Sequence, residues 1–312
     1  MQDAGRAAAP IVILEDFERR RVPLKTAIAD WARGARYAGS KDRAWISGLL
    51  LDVLRRRRSL AAAMQSDGAR AAVLAALRFS WGRELEDVRA LAATEPHGPG
   101  ALSAEEEAQL SASAPPSADD YPAWLGGHVR RAFGADAAAE MAAFGERADI
   151  DLRLNTLRAS PEKALAAIAS VGARGHDFVV TAARIAAPVA LERAPAVTVI
   201  PAFNKGIVEV QDVGSQLAAL AAGDVAGKQV FDYCAGGGGK TLALASLMNN
   251  RGQLYAYDAD ARRLAPIYDR ARRAGVRNLQ IVNPATDAAA LAALKGRMDL
   301  VFIDAPCSGS GT

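Results

Sequence analysis

The sequence predicts a multidomain α/β protein: an all-α N-terminal domain, a small α/β subdomain, and then part of a doubly wound parallel sheet. Three observations lead there. Apolar residues recur at helical spacing over residues 10–93. An alternating strand pattern opens near Ile150. After Gly227 the rhythm becomes strand, glycine turn, helix, strand, which implies a parallel sheet with ligands at the strands' C-terminal ends. At 312 residues the chain is long enough for two or three domains, each with its own core.

Taken in order, Ile46, Leu49, Leu50, Val53 and Leu54 fall at i, i+3, i+4, i+7 and i+8, one apolar helical stripe, and Val73, Leu74 and Leu77 repeat it. Arg55 to Arg58 close the first of these helices. They read either as a solvated last turn complementing the helix dipole or as a phosphate-contacting patch. Residues 94–120 hold Pro96, Pro99, Pro115, Pro116 and several serines, a linker with a short helix at 104–110. The small α/β subdomain is placed at 121–205. In it Ile150, Leu152 and Leu154 alternate with Asp149, Asp151 and Arg153 as a half-buried strand. Ser160-Pro161 opens a helix, and residues 178–180, 197–200 and 207–210 supply further strands. The last domain, 206–312, starts with a helix over 213–222. Strands at 230–233, 254–257, 279–282 and 300–303 follow, with helices from Lys240 and over 261–274.

The net charge of +3 permits an anionic partner without demanding one. Only seven of the 38 basic residues are lysine, an arginine bias that genomic base composition can also produce. The two cysteines, Cys234 and Cys307, argue against a disulfide framework and for a reducing, cytoplasmic compartment. The apolar run 7–14 is too short to span a membrane and lacks the order of a signal peptide. Neither a membrane nor a metal is expected as a partner.

Both cysteines fall in strand-end motifs. The first motif runs Cys234-Ala235-Gly236-Gly237-Gly238-Gly239-Lys240-Thr241. A nucleotide-triphosphate loop would need glycine where Cys234 stands. A dinucleotide fingerprint would need a third small residue where Thr241 or Leu242 stands. What remains is a bare backbone turn that lets a flat, largely uncharged cofactor approach a helix N-terminus. Asp258, eighteen residues after Lys240, can accept hydrogen bonds from ribose hydroxyls. Loop and acid together suit S-adenosylmethionine; a purely structural glycine turn is the alternative.

The second motif, Asp304-Ala305-Pro306-Cys307, delivers an acid and a thiol to one strand end. Cytosine carbon 5 is a poor nucleophile. A thiolate adding to carbon 6 makes carbon 5 enamine-like, so that it attacks a sulfonium methyl. A carboxyl group near ring nitrogen 3 and the exocyclic amine stabilises the developing charge. A base then removes the carbon-5 proton and the thiol leaves. The alternative for Cys307 is a small buried hydrophobe, against which Pro306, Ser308 and Gly309 imply an exposed turn.

With these motifs the chain resembles the Sun/Fmu-type family of bacterial rRNA cytosine-C5 methyltransferases. Val210-Gln211-Asp212 to Leu217 is similar to the segment preceding that family's catalytic domain. Leu152-Arg153-Leu154-Asn155-Thr156-Leu157 is similar to a strand of its small RRM-like subdomain. Ala38-Gly39-Ser40-Lys41-Asp42-Arg43 and Leu54-Arg55-Arg56 resemble the NusB-like RNA-binding domain of some members, here at residues 1–93. The resemblance implies that Cys234, Ala235, Gly236, Gly237, Gly238, Gly239 and Lys240 line the cofactor and that Asp258 binds its ribose. It implies that Asp304 holds the target cytosine beside the cofactor and that Lys240 helps position that base. Family members have Ala-Pro-Gly-Gly where Ala235 to Gly239 stands, and their acid near the adenine is missing, which leaves Asn283 or Asp287 for that ring. In the RNA enzymes the attacking cysteine belongs to a Thr-Cys motif after the next strand, and the Pro-Cys cysteine releases product. In the DNA enzymes the Pro-Cys cysteine attacks. Cys307 is therefore expected to be the release group, with the main nucleophile beyond Thr312 and the natural protein continuing past it.

The expectation is S-adenosylmethionine-dependent methylation of cytosine carbon 5 in RNA, above all 16S-type rRNA or a small-subunit assembly intermediate, by a monomer. The alternative is a catalytically incomplete RNA-binding remnant that still binds the cofactor. Rivals are a P-loop nucleotidase, against which Cys234 counts, and a small-molecule or protein methyltransferase, which leaves Asp304 and Cys307 unexplained.

Overall fold

The computed structural model describes residues 1–112, 119–188 and 195–307. Pro115, Pro116, Ser308 and Gly309, used in the readings above, lie outside them. Two compact units divide the chain, Met1–Arg147 and a second holding Ala148–Ala187 with Pro195 onward.

In the first unit α1 (Asp3–Arg20), α2 (Leu24–Gly34), α3 (Ser40–Arg55), α4 (Arg57–Met64), α5 (Ala69–Ala75), α6 (Leu85–Ala92) and α7 (Ala104–Ser111) share one apolar core. The expected stripe lies in it: Ile46, Leu49, Leu50 and Val53 are fully buried and Leu54 packs at its margin. The short helix in the linker forms, closed by a capping box in which Ser103 and Glu106 satisfy each other's backbone N–H groups. Asp52 on α3 accepts from Trp81 Nε1 at 2.8 Å and from Arg147 Nη2 at 2.5 Å. Burial pushes its carboxyl up, but the bonds from Arg147 and Trp81 more than offset this and hold it below the usual range.

Two readings change here. The arginine run does not close one helix: α3 stops at Arg55, and Arg57 and Arg58 begin α4. Cations in a helix's first turn oppose its dipole. Asp120 offsets this by accepting from the N–H groups of Arg58 and Ser59 at 3.0 and 2.8 Å. Arg55 and Arg57 are engaged internally, with Asp52 and Glu18. Residues 121–147, read as the start of the small α/β subdomain, are instead helical, with α8 (Gly126–Phe133) and α9 (Ala137–Phe144), and group with the first unit.

The second unit begins with a small antiparallel sheet of β1 (Ile150–Leu154), β2 (Arg174–Gly175), β3 (Ala182–Ile185) and β4 (Val208–Val210), in the order β2-β3-β1-β4. Leu152 lies opposite Ala183 on one side and Val210 on the other. α10 (Pro161–Ile168), capped by Ser160, packs on it with the short α11 (Pro201–Asn204). The strands expected at 178–180 and 197–200 do not form. Phe178 and Val180 are exposed on a bend where only Val179 turns inward. Val197–Val199 is a single helical turn between Pro195 and Pro201, which lack the N–H donors that a ladder needs. β1 is buried on both faces, not half-buried. Asp151 bonds Arg184 and the Val213 N–H, and Arg153 bonds Gln211 and Ser246, so the second face meets the helices that follow.

Those helices belong to the parallel sheet. After α12 (Val213–Leu220) come β5 (Gln229–Asp232), α13 (Gly239–Met248), β6 (Gln253–Tyr257), α14 (Ala261–Leu264), α15 (Ile267–Ala274), β7 (Leu279–Val282), α16 (Ala288–Ala293) and β8 (Leu300–Phe302). The order is β7-β6-β5-β8, every pair parallel. The chain steps outward from β5 to β7 and then returns to β5's other side. That places the topological switch point, where such sheets bind ligands, between β5 and β8. The helix read over 261–274 is two helices, interrupted at Pro266, whose ring cannot donate to the preceding turn.

Candidate active site at the strand ends

β5 and β8 bring the two motifs side by side. β5 ends at Asp232, whose carboxylate accepts from Thr241 Oγ1 on α13 at 2.7 Å. It is 1 % exposed. Burial pushes this carboxyl up to about 6. The charge of Asp304 adds to the rise, while the Thr241 bond and the charge of Lys240 oppose it. Cys234 comes two residues later. Burial, and then the charges of Asp258, Asp232 and Asp304, push its thiol up, so it stays protonated at neutral pH.

The glycine loop then turns the chain into α13. Gly236 and Gly238 have φ of +49° and +84°, where L side chains are strained. At Gly238 a Cβ would also stand 2.4 Å from Ile267 Cγ1, because α15 packs directly on the loop. The Gly237 carbonyl accepts from Arg270 Nη1 at 2.6 Å. Asp258, just beyond β6 and buried, accepts from the Gly236 N–H and from the Asp260 N–H, each at 3.0 Å. Each of its oxygens retains a second lone pair.

Lys240, in the first turn of α13, and Asp304, just beyond β8, form an ion pair at 2.6 Å. Asp304 is 54 % exposed at its side chain and Cys307 is exposed, so the acid and the thiol both face solvent at this edge. The structure therefore joins Lys240 to Asp304, and the loop to Asp258. Asn283 and Asp287 follow β7, the neighbour of β6 in the sheet. The Asn283 N–H donates to Asp287, the Asn283 side-chain oxygen accepts from the Ala285 N–H, and both bonds lie within their own turn. The Asn283 N–H and the Thr286 hydroxyl hold the Asp287 carboxyl below its usual range.

The sequence reading missed Asp232, Thr241, Glu209 and Arg270. An acid closing an apolar strand just before a glycine turn was a usable signal for Asp232. Glu209 and Arg270 are 61 residues apart and share no motif. A cavity of about 710 Å³ between Arg158 and the C-terminal turn of α15 includes none of the strand-end residues. We place the site at the strand ends because the glycine turn, the two acids and the lysine meet there. Bare backbone at 236–239, a helix N-terminus and a buried strand-end acid fit S-adenosylmethionine. Among the described residues no three His, Cys, Asp or Glu side chains converge as metal ligands, and no helix is long and apolar enough to cross a membrane.

Residues 219–312 match the family model described as 16S rRNA methyltransferase RsmB/F. Ribosomal RNA small subunit methyltransferase B of Xanthomonas campestris is 30 % identical over 99 % of this chain and 74 % of its own length. Other bacterial relatives of that name are matched over 43 % of their length. The 26S rRNA (cytosine-C(5))-methyltransferase nsun-1 of Caenorhabditis elegans is 35 % identical over 36 % of this chain and 17 % of its own. The crystal structure of PH0851 superimposes with a TM-score of 0.65 at 20 % identity, covering 98 % of this chain and 75 % of that one.

Proposed function

Because the chain belongs to the RsmB family of small-subunit rRNA methyltransferases, we propose that it serves S-adenosylmethionine-dependent methylation of cytosine carbon 5 in RNA, with rRNA as substrate. The observation that carries the reading is the 2.6 Å pair of Lys240 and Asp304, beside the glycine loop at the β5/β8 switch point. A carboxylate there accepts from cytosine's exocyclic amine. The neighbouring ammonium answers the negative charge that gathers on ring nitrogen 3 and the carbonyl oxygen when carbon 6 is attacked. Loop 236–239 and Asp258 hold the cofactor, which supplies an electrophilic methyl group. Asp304 adjoins both.

The roles of the thiols follow from their surroundings. Burial and three nearby carboxylates keep Cys234 protonated, which counts against it as the attacker. Cys307 is exposed beyond β8 and takes the role of helping the product leave. The sequence holds no Thr-Cys pair, so neither of its two cysteines is assigned as the main nucleophile. The helical unit and the small antiparallel sheet are the proposed NusB-like and RRM-like RNA contacts.

The test is methyl transfer from tritiated S-adenosylmethionine to small-subunit rRNA, with the product nucleoside identified by mass spectrometry. The expected result is cofactor binding by the chain, with transferred label confined to 5-methylcytidine. Label in 5-methylcytidine that Cys307→Ser abolishes would make Cys307 the attacker. Label in protein or in another nucleoside would overturn the reading.

A further inference from the structure

Glu209 on β4 is 2 % exposed, yet it faces two guanidinium groups from one side of α15. Arg270 Nη2 donates to its Oε2 at 3.2 Å, and Arg273, three residues on and therefore on the same helical face, donates to its Oε1. The two arginines then diverge. Arg273 lies over the Phe203 ring, 4.1 Å from its centroid. Arg270 extends its other terminal nitrogen to the Gly237 carbonyl at 2.6 Å. On the far side of that same planar peptide, the Gly238 N–H donates to the Ala235 carbonyl at 2.9 Å. The Gly237–Gly238 peptide is thus held at both its oxygen and its nitrogen, in a run of four glycines that has the widest conformational choice of any sequence.

We infer that Arg270 is a positioning residue for the cofactor loop, and that through Glu209 it makes the loop's order depend on the small antiparallel sheet. This rests on the reading that loop 236–239 binds the cofactor. A loop already fixed in its binding conformation loses less freedom when a ligand arrives, so removing the fork raises the dissociation constant. The guanidinium is suited to the task because its planar fork presents separate nitrogens to two acceptors at once; an ammonium has three donors on a single nitrogen and lacks that reach.

Arg273 provides the internal control, since it shares Glu209 but bonds away from the loop. Calorimetric titration with S-adenosylhomocysteine, thermal unfolding and amide hydrogen exchange at Gly238 are to be compared in the wild type, R270Q, R270K and R273Q. R270Q is expected to weaken S-adenosylhomocysteine about tenfold, the size of one charge-assisted hydrogen bond, and to speed exchange at Gly238. R270K is expected to fall closer to R270Q than to the wild type. R273Q is expected to lower Tm while leaving affinity within about twofold. Wild-type affinity in R270Q, or an equal loss in R273Q, would overturn the inference. If the wild type itself binds no S-adenosylhomocysteine, the cofactor reading fails instead. Exchange at Gly238 then still decides the positioning role, because equal rates in R270Q and R273Q refute it.

Discussion

Asp232 is held out of water at the end of β5, and its carboxyl is pushed up to about 6 from an ordinary 3.8. A raised acid leaves stability intact below the unfolded value and loses it as pH rises through the folded one. The window is therefore about pH 4 to 6, and two units correspond to about 3 kcal/mol. Asp232→Asn removes the ionisation and keeps the shape. Urea denaturation should find the variant more stable than the wild type near pH 7, by up to about 3 kcal/mol, with the difference shrinking towards pH 4. A constant difference across that range would show that burial does not govern this carboxyl. At this scale the sequence was most legible where chemistry is concentrated in short motifs: the glycine run, Asp258 and the Asp304 turn all lie at strand ends. Asn283 and Asp287 were inferred from position alone, and they bond to each other's turn.

The helical elements were legible because their cores repeat at 3.6 residues, as the buried Ile46–Leu49–Leu50–Val53 series does. Two kinds of element were not. Short apolar runs such as 197–200 mimic strands, but flanking prolines and the lack of a partner strand leave them as turns. α16 is mostly alanine and so has no apolar period to read. Nor does local sequence reveal a cap delivered from far away. Asp120 reaches the N-terminus of α4 from 61 residues beyond Ser59. Asp120→Ala should cost about 1 kcal/mol, the usual worth of an N-cap, seen as a lower urea midpoint. The same change at exposed Glu15 on α1 is expected to leave the midpoint nearly unmoved. Equal effects at the two positions would mean that the cap contributes little.

Across the whole molecule, the expected division between the small sheet and the methyltransferase sheet does not appear as two units. Asn155 donates to the carbonyls of both Gly206 and Ala274, and Arg153 lies buried between Gln211 and Ser246. Burial pulls that guanidinium down to about 10, Glu209 working against the fall and Arg270 with it. Polar residues on the second face of β1 looked like a solvent face because their partners lie 58 and 93 residues ahead in the chain. The strand-end site and the small sheet thus belong to one compact unit, joined through these buried polar contacts. On the proposed function the glycine loop takes S-adenosylmethionine and not a nucleoside triphosphate. Isothermal titration of the chain with S-adenosylhomocysteine, repeated with an excess of ATP and magnesium, tests it most directly. Micromolar binding that ATP does not displace is expected; no heat with S-adenosylhomocysteine, or saturable binding of ATP in its place, would refute the assignment of this loop.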